Sequence, residues 1–236
     1  MIITIDGPAA SGKSSVAKAL AKKLGYYYLY TGLLYRAVAY ILTQEQHKMT
    51  LPLTEESVKN ITDRDLAFVS SLVYKYQDAI PHVFFNDKEI TSALYATMYD
   101  QAASLVSAHK PVRDALLEFQ RSVAKKHDVI ADGRDCGTVV FPHAEVKFFL
   151  TADIDIRAKR MMHDTTRLHK SVTLKEIKAE LAERDTRDKK RKIAPLEVPK
   201  DAVFIDNSQM DFEQTVELFL KEIDKCQHEN VKPCSS

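Results

Sequence analysis

The stretch Gly7-Pro8-Ala9-Ala10-Ser11-Gly12-Lys13-Ser14-Ser15 follows the apolar run Ile2-Ile3-Thr4-Ile5. Its spacing, Gly7, four residues, then Gly12-Lys13-Ser14, is that of a loop that wraps phosphates. Glycine is required there because the backbone must approach phosphate oxygens closely and turn its N–H groups inward. The helix that follows adds its N-terminal partial charge. In this pattern Lys13 reaches the outer two phosphates of a nucleotide, and the Ser14 hydroxyl is offered to Mg²⁺. Magnesium also takes a carboxylate, directly or through water. "DVIADGRD" supplies Asp132, at the end of a short apolar strand in which Val129 and Ile130 lead into the sheet's edge. If that strand lies beside the first, Asp132 and Ser14 emerge on the same rim. The alternative is a turn-forming Asp before Gly133.

The phosphate loop does not say where the phosphoryl group goes. A hydroxyl acceptor would call for a base. A phosphate acceptor is already a dianion at neutral pH and needs several arginines instead, to hold it and to offset repulsion between two anions. The chain is rich in the second kind of equipment. Arg36 follows Thr31-Gly32 at the start of a helix, and Arg134 stands in "GRDCG". "AERDTRDKKRK" spaces Arg184, Asp188 and Arg191 at i, i+4 and i+7, one face of a helix. An exposed salt-bridge ladder is the alternative for that row. The eight histidines are scattered, none at metal-binding or triad spacing. From Arg157 to Lys192 there are thirteen Lys/Arg against six Asp/Glu, a local excess of seven, while the whole chain carries only +1. Such a run is a solvated helix face or a cationic flap, and next to a phosphate loop the flap is the better reading. Phosphate-to-phosphate transfer between nucleotides is the expectation.

These residues need a scaffold. The 236 residues, 45% hydrophobic and 28% charged, suit one large globular domain, or one with a smaller insertion. The near-neutral balance does not imply wholesale binding to nucleic acid or membrane, and no apolar run approaches the roughly 18 residues of a membrane span. The N-terminus does not read as a signal peptide. Cys136, Cys226 and Cys234 are odd in number and widely spaced, and Cys234 makes no prenylation box. A reducing cytoplasm is expected. Ile2 to Ile5 reads as a central parallel strand. Val16, Leu20 and Leu24 mark a helix that Gly25 can end. Further strands are expected at 26–30, 129–131, 146–150 and 202–205, with a helix at about 32–43, and this alternation predicts a parallel sheet covered by helices on both faces. The pattern breaks at about 60–92, where "DLAFVSSLVYK", "IPHVFFN" and "KEIT" read as short antiparallel strands, the second pair joined through Asn86-Asp87. Residues 227–236 read as a loose tail.

Together, "IDGPAASGKSS", "TGLLYR", "AASLVSAHKPVRDALLEFQR", "IADGRDCGTVVFP", "VKFFLTAD" and "ERDTRDKKRKIAPL" resemble the bacterial-type cytidylate kinases, in order and spacing, from residue 2 to about 220. The resemblance implies an α/β P-loop kinase. Its five-stranded parallel core would occupy 1–43 and 111–226, with a helical lid at about 157–192. A monophosphate-binding insertion with short antiparallel strands would occupy 44–110. It implies transfer of the γ-phosphoryl of ATP to CMP or dCMP with Mg²⁺. Gly7, Pro8, Ala9, Ala10, Ser11, Gly12, Lys13, Ser14 and Ser15 would hold ATP, and Arg157 and Arg160 of the lid would cover its phosphates, excluding water. Ser14 and Asp132 would serve the metal. Arg36 and Arg134 would grip the acceptor phosphate with Arg191 close by. Ser104, Arg184 and Asp188 would meet the pentose, and Thr31, Arg113, Asp135 and Arg191 the cytosine. The catalytic set implied is Lys13, Arg134, Arg184 and Arg191. The chain departs from the family at Tyr30-Thr31-Gly32, where Asp-Ser-Gly or Asp-Thr-Gly is usual, and at Leu94-Tyr95 in place of Ile-Arg. A uridylate- or adenylate-type kinase of the same fold and a non-catalytic nucleotide-binding regulator are the alternatives. A monomer acting on small molecules, with neither nucleic acid nor membrane as partner, is expected.

Overall fold

The computed structural model describes residues 1–163 and 172–229. Its centre is β1 (Ile2–Asp6), buried almost throughout because strands flank it on both sides. The order of elements is β1, α1 (Lys13–Leu24), β2 (Tyr27–Tyr30), α2 (Thr31–Tyr40), α3 (Glu55–Lys59), β3 (Leu72–Gln77), β4 (Ile80–Phe85), β5 (Lys88–Glu89), α4 (Thr91–Leu94), α5 (Met98–Val106), α6 (Lys110–Ala124) and β6 (Val129–Gly133). Then come β7 (Val146–Thr151), α7 (Ile154–Met162), α8 (Leu174–Lys190), β8 (Val203–Asp206) and α9 (Phe212–Glu229). Five strands form a parallel sheet in the order β2-β6-β1-β7-β8, and β3-β4-β5 form a separate antiparallel one.

The alternating direction of side chains along each strand divides the apolar core between the two faces. On one face Ile3, Ile5, Tyr28, Ile130 and Phe148 pack against Val16 and Leu20 of α1 and Phe219 of α9. On the other, Leu29, Val129 and Ala131 meet α2 and α6, and this cluster continues unbroken into the 44–110 segment through Leu66, Val83, Leu94 and Val106. A third, small cluster joins Ala9 of the phosphate loop to Ala158 and Met161 of α7 and Ile177 and Leu181 of α8. The loop is thus packed from outside by the α7–α8 pair.

Several sequence expectations are corrected. Only the second half of "DLAFVSSLVYK" is a strand; Asp63–Ser71 winds as a 3₁₀ helix, opened by a capping box between Thr62 and Asp65. Local side-chain capping outweighs the β-propensity of that stretch. The helix expected at 32–43 ends at Tyr40 and widens into a π-type turn, Ile41–Glu45. The strand carrying Asp132 lies inside the sheet, between β2 and β1, rather than at its edge. Residues 227–229 finish α9 rather than starting a tail. The rest of the expected tail, and 164–171 of the expected lid, lie outside the described residues.

Candidate active site

In a parallel sheet the crevice opens at the carboxyl ends of the strands, and the loops after β1 and β6 meet there. Register pairs Ile5 with Asp132 and Asp6 with Gly133, so both strands end level. The turn after β1 must fold back tightly. Gly7 has φ +149°, and a Cβ on it would stand 2.0 Å from the Leu150 carbonyl oxygen of β7. Gly12, at φ +94°, then hands the chain to α1. Lys13 folds back over the loop and donates to the Pro8 carbonyl at 2.6 Å and to Ser11 Oγ at 3.4 Å. Burial, and the Arg134 guanidinium next, push the Lys13 ammonium well below its ordinary pKa. Anionic phosphates entering beside it would reverse that balance.

The rim expected from sequence is formed. Ser14 Oγ donates to Asp132 Oδ2 at 2.7 Å, and the Tyr28 phenol donates to the other oxygen at 2.9 Å. Burial raises the Asp132 pKa against the opposing pull of Ser14 and Lys13. A hydroxyl and a carboxylate are the hard oxygen donors a divalent cation takes alongside nucleotide phosphates and water. Among the described residues no group of three or more His, Cys, Asp or Glu could hold a metal without such help.

On one side of the loop lies an open cavity. Ala9, Ala10, Lys13, Ser14 and Asp132 form its loop-facing wall. Thr31, Arg36, Ser104, Arg113, Arg134, Asp135, Arg184, Asp188 and Arg191 all reach it, from segments as distant in sequence as α2 and α8. Several of its arginines are paired with carboxylates. Arg134 Nε donates to Asp188 at 2.8 Å, and Asp135 is shared between Arg113 and Arg191, the latter at 3.3 Å. Although burial opposes it, Arg134, Arg184 and Arg191 hold Asp188 below the ordinary carboxylate range. Arg113 also lies over the Tyr35 ring, 5.6 Å from its centroid. Asp6, buried at the end of β1, accepts from the N–H of Cys136 at 2.8 Å and of Gly137 at 2.7 Å. That ties down the loop bearing Arg134 and Asp135. Burial raises its pKa to about 7.

One placement differs from the expected face. α8 ends at Lys190, and Arg191 is the first residue beyond it, extended at φ −60°, ψ 138°. Its Nε donates to the Ala194 carbonyl at 2.5 Å. Leaving the helix is what turns Arg191 toward Asp135 while Arg184 and Asp188 stay on α8.

On the other side of the loop a second cavity is lined by Gly12, Ser15 and Arg160 together with Asn207, Phe212 and Thr215. Asn207 Nδ2 donates to the Ser11 carbonyl at 3.3 Å, and Asn207 Oδ1 accepts from Arg160 at 2.9 Å. Arg157 reaches neither cavity. It braces the loop from behind, donating to the Ala9 carbonyl at 3.1 Å and pairing with Asp185 of α8 at 2.8 Å. Gly7, Pro8 and Ser11 shape the loop without lining either cavity. Sequence reasoning missed Tyr35 and Ser107 in the first cavity and the whole 207–215 wall of the second. A signal existed for the latter: Asn207 follows the last strand directly, at the rim where ligands of parallel sheets bind.

Comparison with known proteins identifies the family. The cytidylate kinase family profile matches residues 3–225. The cytidylate kinase of Thermodesulfovibrio yellowstonii is 37% identical over 228 residues, covering 94% of this chain and 97% of that protein. That of Streptococcus thermophilus is 39% identical over 220 residues, covering 93% and 94%. That of Lactobacillus gasseri is 38% identical over 216 residues, covering 92% and 90%. With a match spanning nearly every element of the fold, the chain belongs to the cytidylate kinase family.

Proposed function

We propose that this protein transfers the γ-phosphoryl group of ATP to CMP or dCMP, giving ADP and CDP or dCDP. The observation that carries the reading is the position of the phosphate loop, a wall shared by two cavities, one of them walled by arginines. The donor's nucleoside would enter beside Asn207 and Phe212 and its phosphates lie along Gly7–Ser15. The acceptor would fill the first cavity, its phosphate against Arg36, Arg134 and Arg191, its pentose near Ser104, Arg184 and Asp188, its base toward Thr31, Arg113 and Asp135. Cytosine presents an amino donor beside a ring nitrogen and a carbonyl, and a carboxylate with an arginine complements that edge. A base with exchanged donors would leave those buried groups unmatched, so it is rejected more strongly than one differing by a methyl.

The chemistry follows from charge. Phosphoryl transfer passes through a loose transition state, so the protein contributes positioning and electrostatic stabilisation. The acceptor phosphate is already ionised, so no side chain has to remove a proton from it. Lys13, Arg134, Arg184 and Arg191 surround the point of transfer and keep the two anionic tails together. Mg²⁺, held through Ser14 and Asp132, would neutralise charge on the donor's outer phosphates when bound. Arg157 and Arg160 act from the outer side of the loop, Arg157 by fixing Ala9 and Arg160 by fixing the Ser11–Asn207 contact.

No helix among the described residues is long and apolar enough to cross a membrane. A cytoplasmic monomer acting on free nucleotides is the assembly that fits this reading. ADP formation measured with CMP, dCMP, UMP and AMP as acceptors tests it. CMP and dCMP should be turned over well ahead of UMP and AMP. A clear preference for AMP would reject the cytosine site, and ATP binding without acceptor-dependent turnover would reveal a nucleotide sensor.

A further inference from the structure

Arg36, an arginine of the acceptor cavity, has a carboxylate partner from outside the motifs discussed so far. Its Nη2 pairs with Asp100 of α5, and its Nη1 donates to the Leu94 carbonyl at the end of α4 at 3.0 Å. Both side chains of the pair are only 9% exposed. Arg36 lines the acceptor cavity, whereas Asp100 does not. Asp100 instead borders a smaller cavity, beside Ser104, Arg184 and Arg187. An arginine carries five N–H donors in a rigid planar fork, so anchoring two from behind fixes where the rest point. Asp100 and Ser104 are four residues apart on α5, hence on one face of that helix. The same helix therefore aims the α2 guanidinium and places a hydroxyl in the cavity wall.

We infer that Asp100 is a positioning residue for the acceptor phosphate: it orients Arg36 from behind, and through α5 it sets the phosphate-binding guanidinium in register with Ser104. The inference rests on the proposal that CMP or dCMP fills the first cavity. Asp100 touches no substrate and acts through Arg36. A residue facing the acceptor directly would repel its phosphate, and losing it would tighten binding. Losing a residue that aims the guanidinium weakens binding, so the two roles have opposite signs.

Steady-state kinetics of wild type and Asp100→Asn, with CMP and ATP varied separately and unfolding followed alongside, test the inference. The variant should raise KM for CMP by about 10-fold while KM for ATP stays within about twofold. A wild type without CMP-dependent ADP release would overturn the cytidylate assignment and the inference with it. An active wild type whose variant shows an unchanged or lower KM for CMP would overturn the positioning role alone. So would equal rises in both KM values, which mark general damage. Should Asp100→Asn not fold because a buried guanidinium has lost its counter-charge, Arg36→Gln is compared with Arg36→Gln/Asp100→Asn, whose neutral pair removes that defect. The two should share a KM for CMP within about twofold. A further rise of about fivefold or more in the double variant would mean that Asp100 acts independently of Arg36.

Discussion

Lys13 reaches back to the Pro8 carbonyl, a contact that donor phosphates would take over. Lys13→Ala removes a cation at the transfer point without emptying any apolar core. It should lower kcat by about a hundredfold or more, while the thermal midpoint moves by only a few degrees; unaltered turnover would take the loop lysine out of the chemistry. Asp6 has a different task. It holds the backbone of Cys136 and Gly137, and burial sets its pKa at about 7 against an ordinary 3.8. Folded protein keeps this proton to higher pH than unfolded chain does, so its contribution to stability is full below about pH 4 and is lost as pH rises through 7. Relative to Asp6→Asn, wild type should lose up to about 4 kcal/mol of unfolding free energy between pH 4 and 8, read from urea midpoints. A difference independent of pH would place the Asp6 pKa in its ordinary range. Residues such as Lys13, Ser14 and Asp132 were legible because their chemistry is written in adjacent letters. Asp6 and Asp100 were not, since a buried carboxylate is recognised only by what it meets across the fold.

At the scale of elements, hydrophobic patterning located the five parallel strands to within a residue or two, because strands buried on both faces are nearly continuous apolar runs. It failed where local capping decided the outcome, as at Thr62–Asp65, and where a helix ended one residue before an expected face was complete, at Lys190–Arg191. Periodicity counts residues but does not register the last turn of a helix. The tightest element junction is the one from β1 into the phosphate loop, pressed against β7. Gly7→Ala brings a methyl group to 2.0 Å from the Leu150 carbonyl, so backbone must move. Unfolding free energy should fall by about 2–4 kcal/mol, and ATP binding should weaken with it. Wild-type stability in that variant would show that the loop can be rebuilt at no cost.

For the whole molecule, the α7–α8 pair touches both cavities, as the phosphate loop between them does. α7 carries Arg160 to one, α8 carries Arg184 and Asp188 to the other, and both helices pack on Ala9 between them. Such an arrangement links the sites: a ligand that settles the pair from one side lowers the ordering cost for the other. The dissociation constant for CMP, measured by calorimetry, should fall by about fivefold or more when a non-hydrolysable ATP analogue is present, and the reverse experiment should give the same factor. Independent binding would mean that the pair moves with neither ligand. Sequence alone announced two ligands through its motifs. The resemblance put residues for both in the 157–192 lid, but did not give the packing of α7 and α8 on Ala9 of the loop.

Two carboxylates stand among the arginines of the first cavity: Asp188 beside Arg134, and Asp135 between Arg113 and Arg191. A chloride, sulfate or free phosphate that drew on Arg134, Arg113 or Arg191 would have to part it from such a partner and would bring nothing else. A nucleoside monophosphate arrives with a sugar and a ring that engage other walls at the same moment, so the exchange favours it. On the proposed reading, those carboxylates favour a whole nucleotide over a bare phosphate.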